Sequence, residues 1–149
     1  MKELKVSALE EGTVIDHIPT KNTFKVVWLL KLAKHEDIVL IATNLTSKRL
    51  GKKGLIKISG KQLTQEEANK LALVAPDATI NIIKNTDVIR KIKVQLPSEL
   101  INVARCYNPS CITNNDVVIS RLMVENRKPL LLRCHYCERS MTEQDVELV

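Results

Sequence analysis

Cys106-Tyr-Asn-Pro-Ser-Cys111 and Cys134-His-Tyr-Cys137 hold all four cysteines of the 149-residue chain, and both stretches fall in its last third. The spacing is C-x4-C, 22 intervening residues, then C-x2-C. Two close pairs separated by a short insert place four thiolates at the corners of a tetrahedron, with each pair on a tight turn. A site of that kind is closed. It contributes folding energy, whereas a catalytic zinc keeps three protein ligands and an open position. His135 competes as a ligand on proximity alone, but an x2 turn does not readily aim three consecutive side chains at one ion, so it is expected to point outward. Disulfides need an oxidising compartment, and the Met1-Lys2-Glu3-Leu4 start carries no apolar leader. A redox C-x-x-C leaves Cys106 and Cys111 without a role. The expectation is one structural Zn²⁺ on Cys106, Cys111, Cys134 and Cys137 in a cytoplasmic protein.

Outward from the cysteines, charge divides the chain. From residue 101 onward six Lys/Arg face six Asp/Glu, so the whole net charge of +6 belongs to residues 1–100. Aromatic residues make up 3%, which leaves the core to Ile, Leu, Val and Ala. No uncharged apolar run reaches the roughly 18 residues that span a bilayer.

Residues 4–9 alternate apolar and polar and read as a half-buried strand. Thr13–Ile18 reads as a second strand, ended by Pro19. Asp16 and His17 are neighbours on it, and neighbours on a strand point to opposite faces, which argues against a catalytic dyad. A polar strand end and a ligand contact both remain open for them. Residues 22–34 form the best helix candidate, with Asn22 or Thr23 as cap and Phe24 and Trp28 expected in the core. The β-branched run Ile38–Ala42 reads as a central strand. A basic turn runs from Asn44 to Gly54, followed by the strand Leu55–Ile58, and six basic residues stand between Lys48 and Lys61 with no acidic one. Such a run is usually a solvated face; on a turn and the strand after it, several charges could converge on one anion. Thr64 and Glu67 have capping-box spacing ahead of a helix whose buried face is Ala68, Leu71, Ala72 and Ala75, with Pro76 ending it. Residues 78–83 and 88–94 read as two strands, and Gln95–Ser98 as a linker. The fold class is α+β: an N-terminal antiparallel sheet with two helices on one face, then a small all-β zinc-binding domain. The expected domains are 1–97 and 98–149.

No phosphate-binding glycine loop, nucleophile elbow or paired-carboxylate constellation occurs, and three histidines make no triad. The residues point to a non-catalytic protein: a basic part suited to a phosphate-bearing ligand, and a neutral metal-bound part suited to docking on another protein. A nucleic-acid-binding zinc ribbon is the rival from another class. Against it stand the neutral ribbon and the few aromatics available for base stacking.

Gly12-Thr-Val-Ile-Asp-His-Ile-Pro19, Gly51-Lys-Lys-Gly-Leu-Ile-Lys-Ile58, Leu73-Val-Ala-Pro-Asp-Ala-Thr-Ile-Asn81 and the cysteine-rich end, taken together and in order, closely resemble the regulatory chain of aspartate carbamoyltransferase. The resemblance implies an allosteric subunit of pyrimidine biosynthesis that binds ATP or CTP in its first domain and pairs into dimers. It implies that the zinc domain fastens the subunit to the catalytic chain, in a complex of two catalytic trimers and three regulatory dimers. Carried over residue by residue, it assigns nucleotide contacts to Val6, Ala8 and Leu9, to Val14, Asp16 and His17, and to Asn81, Ile83, Val88 and Lys91. Lys53 and Lys57 fall at the phosphates and ribose. Ser7 and Thr86 depart from the Glu and Tyr of bacterial members and bear on base preference.

Overall fold

The computed structural model describes residues 10–149; the strand expected at 4–9, with Val6, Ala8 and Leu9, lies outside them. The chain falls into two compact units that divide between Val94 and Gln95.

In the first unit an antiparallel sheet runs in the order β2-β3-β1-β4-β5, made of β1 (Gly12–Pro19), β2 (Val39–Ser47), β3 (Gly51–Ser59), β4 (Thr79–Lys84) and β5 (Asp87–Lys93). Period-two patterning decides which face is covered. Ile15, Ile56, Ile58, Ile80, Ile82 and Ile92 are buried with Val26 of helix α1 (Thr23–Leu29) and Ala68 of helix α2 (Gln65–Lys70). Each buried isoleucine contributes about 1.5–3 kcal/mol, so this aliphatic layer replaces the aromatic core that the composition does not supply. Gly54 permits the closest approach: a Cβ there would collide with the Thr23 hydroxyl, so the glycine lets the start of α1 lie directly on β3. The capping box of α2 is formed. The Glu67 N–H donates to Thr64 Oγ1 at 3.1 Å and the Thr64 N–H to Glu67 Oε1 at 3.3 Å. Leu71, Ala72 and Ala75 are buried as expected. The hairpin β4–β5 turns on Asn85 and Thr86, both with positive φ (51° and 67°), the geometry of a two-residue type I′ turn.

Five expectations fail here, each for a local reason. The helix expected over 22–34 is α1 alone, seven residues long, because Lys31 takes a left-handed φ of 54° and residues 32–34 form a separate 3-10 turn. Phe24 and Trp28, one turn apart, lie on the outer side of this short helix and are each 66% exposed, while Val26, Leu30 and Leu32 fill the core in their place. Asn22 does not cap with its side chain, which instead donates to the Val74 carbonyl at 2.8 Å. The run Ile38–Ala42 belongs to an edge strand, not a central one, and Ile38, Leu40 and Ile41 are exposed. The basic turn is also shorter than expected, since β2 continues to Ser47 and β3 starts at Gly51, which puts Lys52 and Lys53 on a strand.

The second unit is all-β apart from short 3-10 turns among its described residues. β6 (Glu99–Ile101), β8 (Arg121–Asn126), β9 (Leu131–Cys134) and β10 (Ser140–Thr142) make an antiparallel sheet in the order β10-β9-β8-β6. β7 (Ala104–Arg105) pairs with β11 (Glu147–Leu148). Leu100, Leu122, Leu132 and Met141 are fully buried. A core of this size gives a unit of about 55 residues little stability of its own, and the cysteines are its remaining means.

Candidate functional sites: an open sheet face and a four-cysteine centre

The face of the first sheet turned away from the helices carries a row of side chains in direct register. Lys57 on β3 lies opposite Val14 on β1, Val14 opposite Asn81 on β4, and Asn81 opposite Lys91 on β5. In the same row Leu40 of β2 pairs with Lys57. Five residues, one from each strand, are thus brought onto one line across the sheet. Lys53 and Asp16 share this face by alternation and form an ion pair at 2.9 Å, with a second contact from Lys53 Nζ to Asp16 Oδ2 at 3.2 Å. Ile83 pairs with both Gly12 and Val88, so these two complete the face at its far end, Ile83 buried and Val88 exposed.

At His17 strand alternation breaks. The register of β1 against β3 shifts between Ile15 and Ile18, and His17 has a φ of 57°. The bulge turns the imidazole so that Nδ1 meets Thr79 Oγ1 at 2.9 Å, while the His17 backbone N–H donates to Asp16 Oδ1 at 2.6 Å. Asp16 and His17 therefore make no dyad through their side chains; each is held by a different neighbour. Thr79, opposite Asp16 in the β1–β4 register, is a member of this face that sequence reading missed, as is Lys93 opposite Thr79. Only the strand register, invisible before folding, places them there.

In the second unit the four cysteine sulfurs lie within 4.8 Å of one another. Cys106 Sγ is 3.6 Å from Cys137 Sγ, and Cys111 Sγ is 3.7 Å from Cys134 Sγ. A tetrahedron with metal–sulfur bonds of about 2.3 Å has edges of about 3.8 Å, so these separations fit four thiolates around one ion and exceed the ~2.05 Å of a disulfide. Cys106, Cys111 and Cys134 are buried and Cys137 is half-buried. Burial pushes the Cys106 and Cys134 thiols up, an unfavourable state for thiolates that a bound cation relieves. For Cys137 burial also opposes the thiolate, but hydrogen bonds from the Arg139 backbone and the Asn108 side chain outweigh it and bring the thiol down to about 7.

Asparagines build the first cysteine turn. Asn114 Nδ2 donates to the carbonyls of Cys106 and Asn108, both at 2.8 Å, and Asn115 Nδ2 to those of Pro109 and Cys111, also at 2.8 Å. The Cys111 N–H closes the turn on the Asn108 carbonyl at 3.0 Å. Sequence reading passed over these asparagines, although an Asn pair three residues past a ligand cysteine is the clue. In the second turn the Cys134 N–H donates to the Arg139 carbonyl and the Glu138 N–H to the Cys134 carbonyl, each at 3.0 Å. His135 is exposed, packs edge-on against Tyr136 with ring centroids 5.0 Å apart, and stands outside the cluster.

Among the described residues no helix is long and apolar enough to cross a membrane. Comparison with known proteins agrees with the division of the chain. The family model for the aspartate carbamoyltransferase regulatory chain, allosteric domain, matches residues 4–95, and that for the metal binding domain of the same chain matches residues 98–147. The aspartate carbamoyltransferase regulatory chain of Pyrococcus abyssi is 51% identical over 148 residues, covering 98% of this chain and 97% of its own. That of Thermococcus onnurineus is 48% identical over 147 residues, with the same coverage, and that of Parabacteroides distasonis 45% over 145 residues, covering 97% and 94%. A chain matched along its length by both domain models and similar over its full length to these regulatory chains belongs to the aspartate carbamoyltransferase regulatory chain family: it is a non-catalytic regulatory subunit of pyrimidine biosynthesis.

Proposed function

We propose that the first unit binds a nucleoside triphosphate, CTP or ATP, on its open sheet face, and that the second, stapled by Zn²⁺, carries the effect of binding to an aspartate carbamoyltransferase catalytic chain. The observation that carries the reading is the row Lys57–Val14–Asn81–Lys91 with the Asp16–Lys53 pair beside it. In this reading Lys53, Lys57 and Lys91 neutralise the triphosphate, Asn81 reads polar groups, and Val14, Ile83 and Val88 cover the apolar surface of base and sugar. Asp16 holds Lys53 in place and accepts from the ribose, and His17, kept in orientation by Thr79, completes the rim. Val6, Ala8 and Leu9 are assigned to the base by resemblance and lie outside the described residues.

Zinc suits the centre because four thiolates are soft ligands and the sulfur separations fit tetrahedral geometry. When bound, the ion supplies a cross-link; the four cysteines leave no open position for chemistry. Two exposed apolar surfaces support the assembly. Val117, Ile119 and Ile112 lie exposed on the segment that follows the first cysteine turn and suit docking on the catalytic chain. Phe24, Trp28, Ile38 and Ile41 on the first unit, exposed away from the sheet-face row, suit a homodimer contact. In the whole complex, two catalytic trimers and three regulatory dimers located in the cytoplasm, a nucleotide that fits one quaternary state better shifts the equilibrium toward it, by a coupling of about 1–3 kcal/mol.

Calorimetric titration of the zinc-loaded chain with CTP and ATP tests the binding half of this reading. Heat with at least one of them, with an affinity about tenfold lower in Lys57→Gln, supports it. No heat with either nucleotide, or steep salt-dependent binding of generic DNA in its place, overturns it.

A further inference from the structure

Positive charge also gathers in the helix layer of the first unit. There a cavity of about 370 Å3 opens between the end of α1 and α2. Leu30 and Leu32, both buried, line it together with Leu29. Its rim is cationic: Lys31 and Lys34 come from the turn after α1, Lys61 from the segment after β3, and Lys70 from α2. The one carboxylate lining it, Glu67, is already ion-paired with Lys61 at 3.0 Å and accepts the Thr64 N–H. Four ammonium groups against one carboxylate leave an excess of three, and among the described residues Lys31, Lys34 and Lys70 form no ion pair.

His35 joins the rim with its orientation set, because Nε2–H donates to the Ser59 carbonyl at 2.6 Å. Lys31 holds the left-handed conformation that ends α1 and turns the chain along the cavity. Lys31 and Lys34 are exposed and Lys61 and Lys70 half-buried, and all four line one concavity together with Leu30 and Leu32, where their mutual repulsion favours a bound anion. None of the residues lining the cavity belongs to the open sheet face.

We propose that this cavity is a second anion site, specific for a small, multiply charged phosphate. A lone carboxylate would neutralise one of the three excess charges, whereas phosphoryl oxygens accept from several ammonium groups at once and carry the charge to match them. Inorganic phosphate or pyrophosphate and the polyphosphate tail of a nucleotide present the same chemistry. The site does not depend on the reading of the sheet face.

The test follows backbone amide shifts of the full, metal-loaded chain during titration with pyrophosphate and, separately, with ATP. Pyrophosphate is expected to move the amides of His35, Lys61 and Lys70. Its affinity is expected to fall about tenfold in the double variant K34Q/K70Q and to stay unchanged in K57Q. If ATP, after saturating the sheet face, moves the same three amides, nucleotide tails are the source; if it moves only sheet-face amides, free phosphate is. Pyrophosphate shifts confined to the sheet face, a loss of affinity in K57Q without one in K34Q/K70Q, or no shift at millimolar pyrophosphate and low salt would each overturn the site. Because location is read on the unmodified chain, the outcome stands even if the double variant melts early.

Discussion

At the scale of single residues, the electrostatics of the sheet face rest on its lysines, Lys53, Lys57 and Lys91. Asp16 is the acid that engages Lys53 before any ligand arrives. Lys57→Gln is therefore expected to weaken nucleotide binding about tenfold, the loss of one charge-assisted contact. Asp16→Asn frees Lys53 and should change affinity less than Lys57→Gln while raising the salt dependence, both read by calorimetry at two ionic strengths. Glu67 offers a pH handle. Burial opposes its carboxylate, but the hydrogen bond and charge of Lys61 and the Thr64 N–H hold its carboxyl below the usual range. A depressed carboxyl stabilises the fold above its ordinary pKa and loses that contribution as pH falls through the folded value. The stability gap between the parent chain and Glu67→Gln should hence close below about pH 4. Thr64→Ala, which removes the other half of the box, should cost about 1 kcal/mol in chemical denaturation at neutral pH.

Elements show what the sequence could and could not reveal. Local chemistry was readable: the Thr64–Glu67 box, the isoleucine alternation of β3 and β4 and the two cysteine turns are each specified within a few residues. What failed depended on partners distant in sequence. The apolar positions of 22–34 fit one long buried helix, but Gly54, some 30 residues away, decides how α1 lies on the sheet, and the left-handed Lys31 decides where it stops. The Ile38–Ala42 run has the composition of a central strand and occupies an edge, because order in a sheet is set by all its strands together. The sheet-face row has the same origin. Val14, Lys57, Asn81 and Lys91 were named through resemblance, and their alignment comes from register. Gly54→Ala should displace α1 and destabilise the first unit by about 1–3 kcal/mol, the usual cost of overpacking, measured by thermal denaturation.

On the scale of the whole molecule, the second unit has so small a core that its metal and its fold are one quantity. Chelation, mercurial treatment or Cys111→Ser is expected to unfold it, lost near-ultraviolet dichroism from Tyr107 and Tyr136 being the readout, while Trp28 fluorescence in the first unit persists. Stripped of metal, the chain should fail to join catalytic trimers yet keep its nucleotide affinity. The most direct measurement mixes the zinc-loaded chain with isolated aspartate carbamoyltransferase catalytic trimers and follows aspartate saturation with and without CTP or ATP. Assembly, with a midpoint that moves when nucleotide is added and needs about tenfold more nucleotide to move in Lys57→Gln, is the predicted result. A saturation curve that is the same with and without nucleotide, in trimers that have bound the chain, would contradict it.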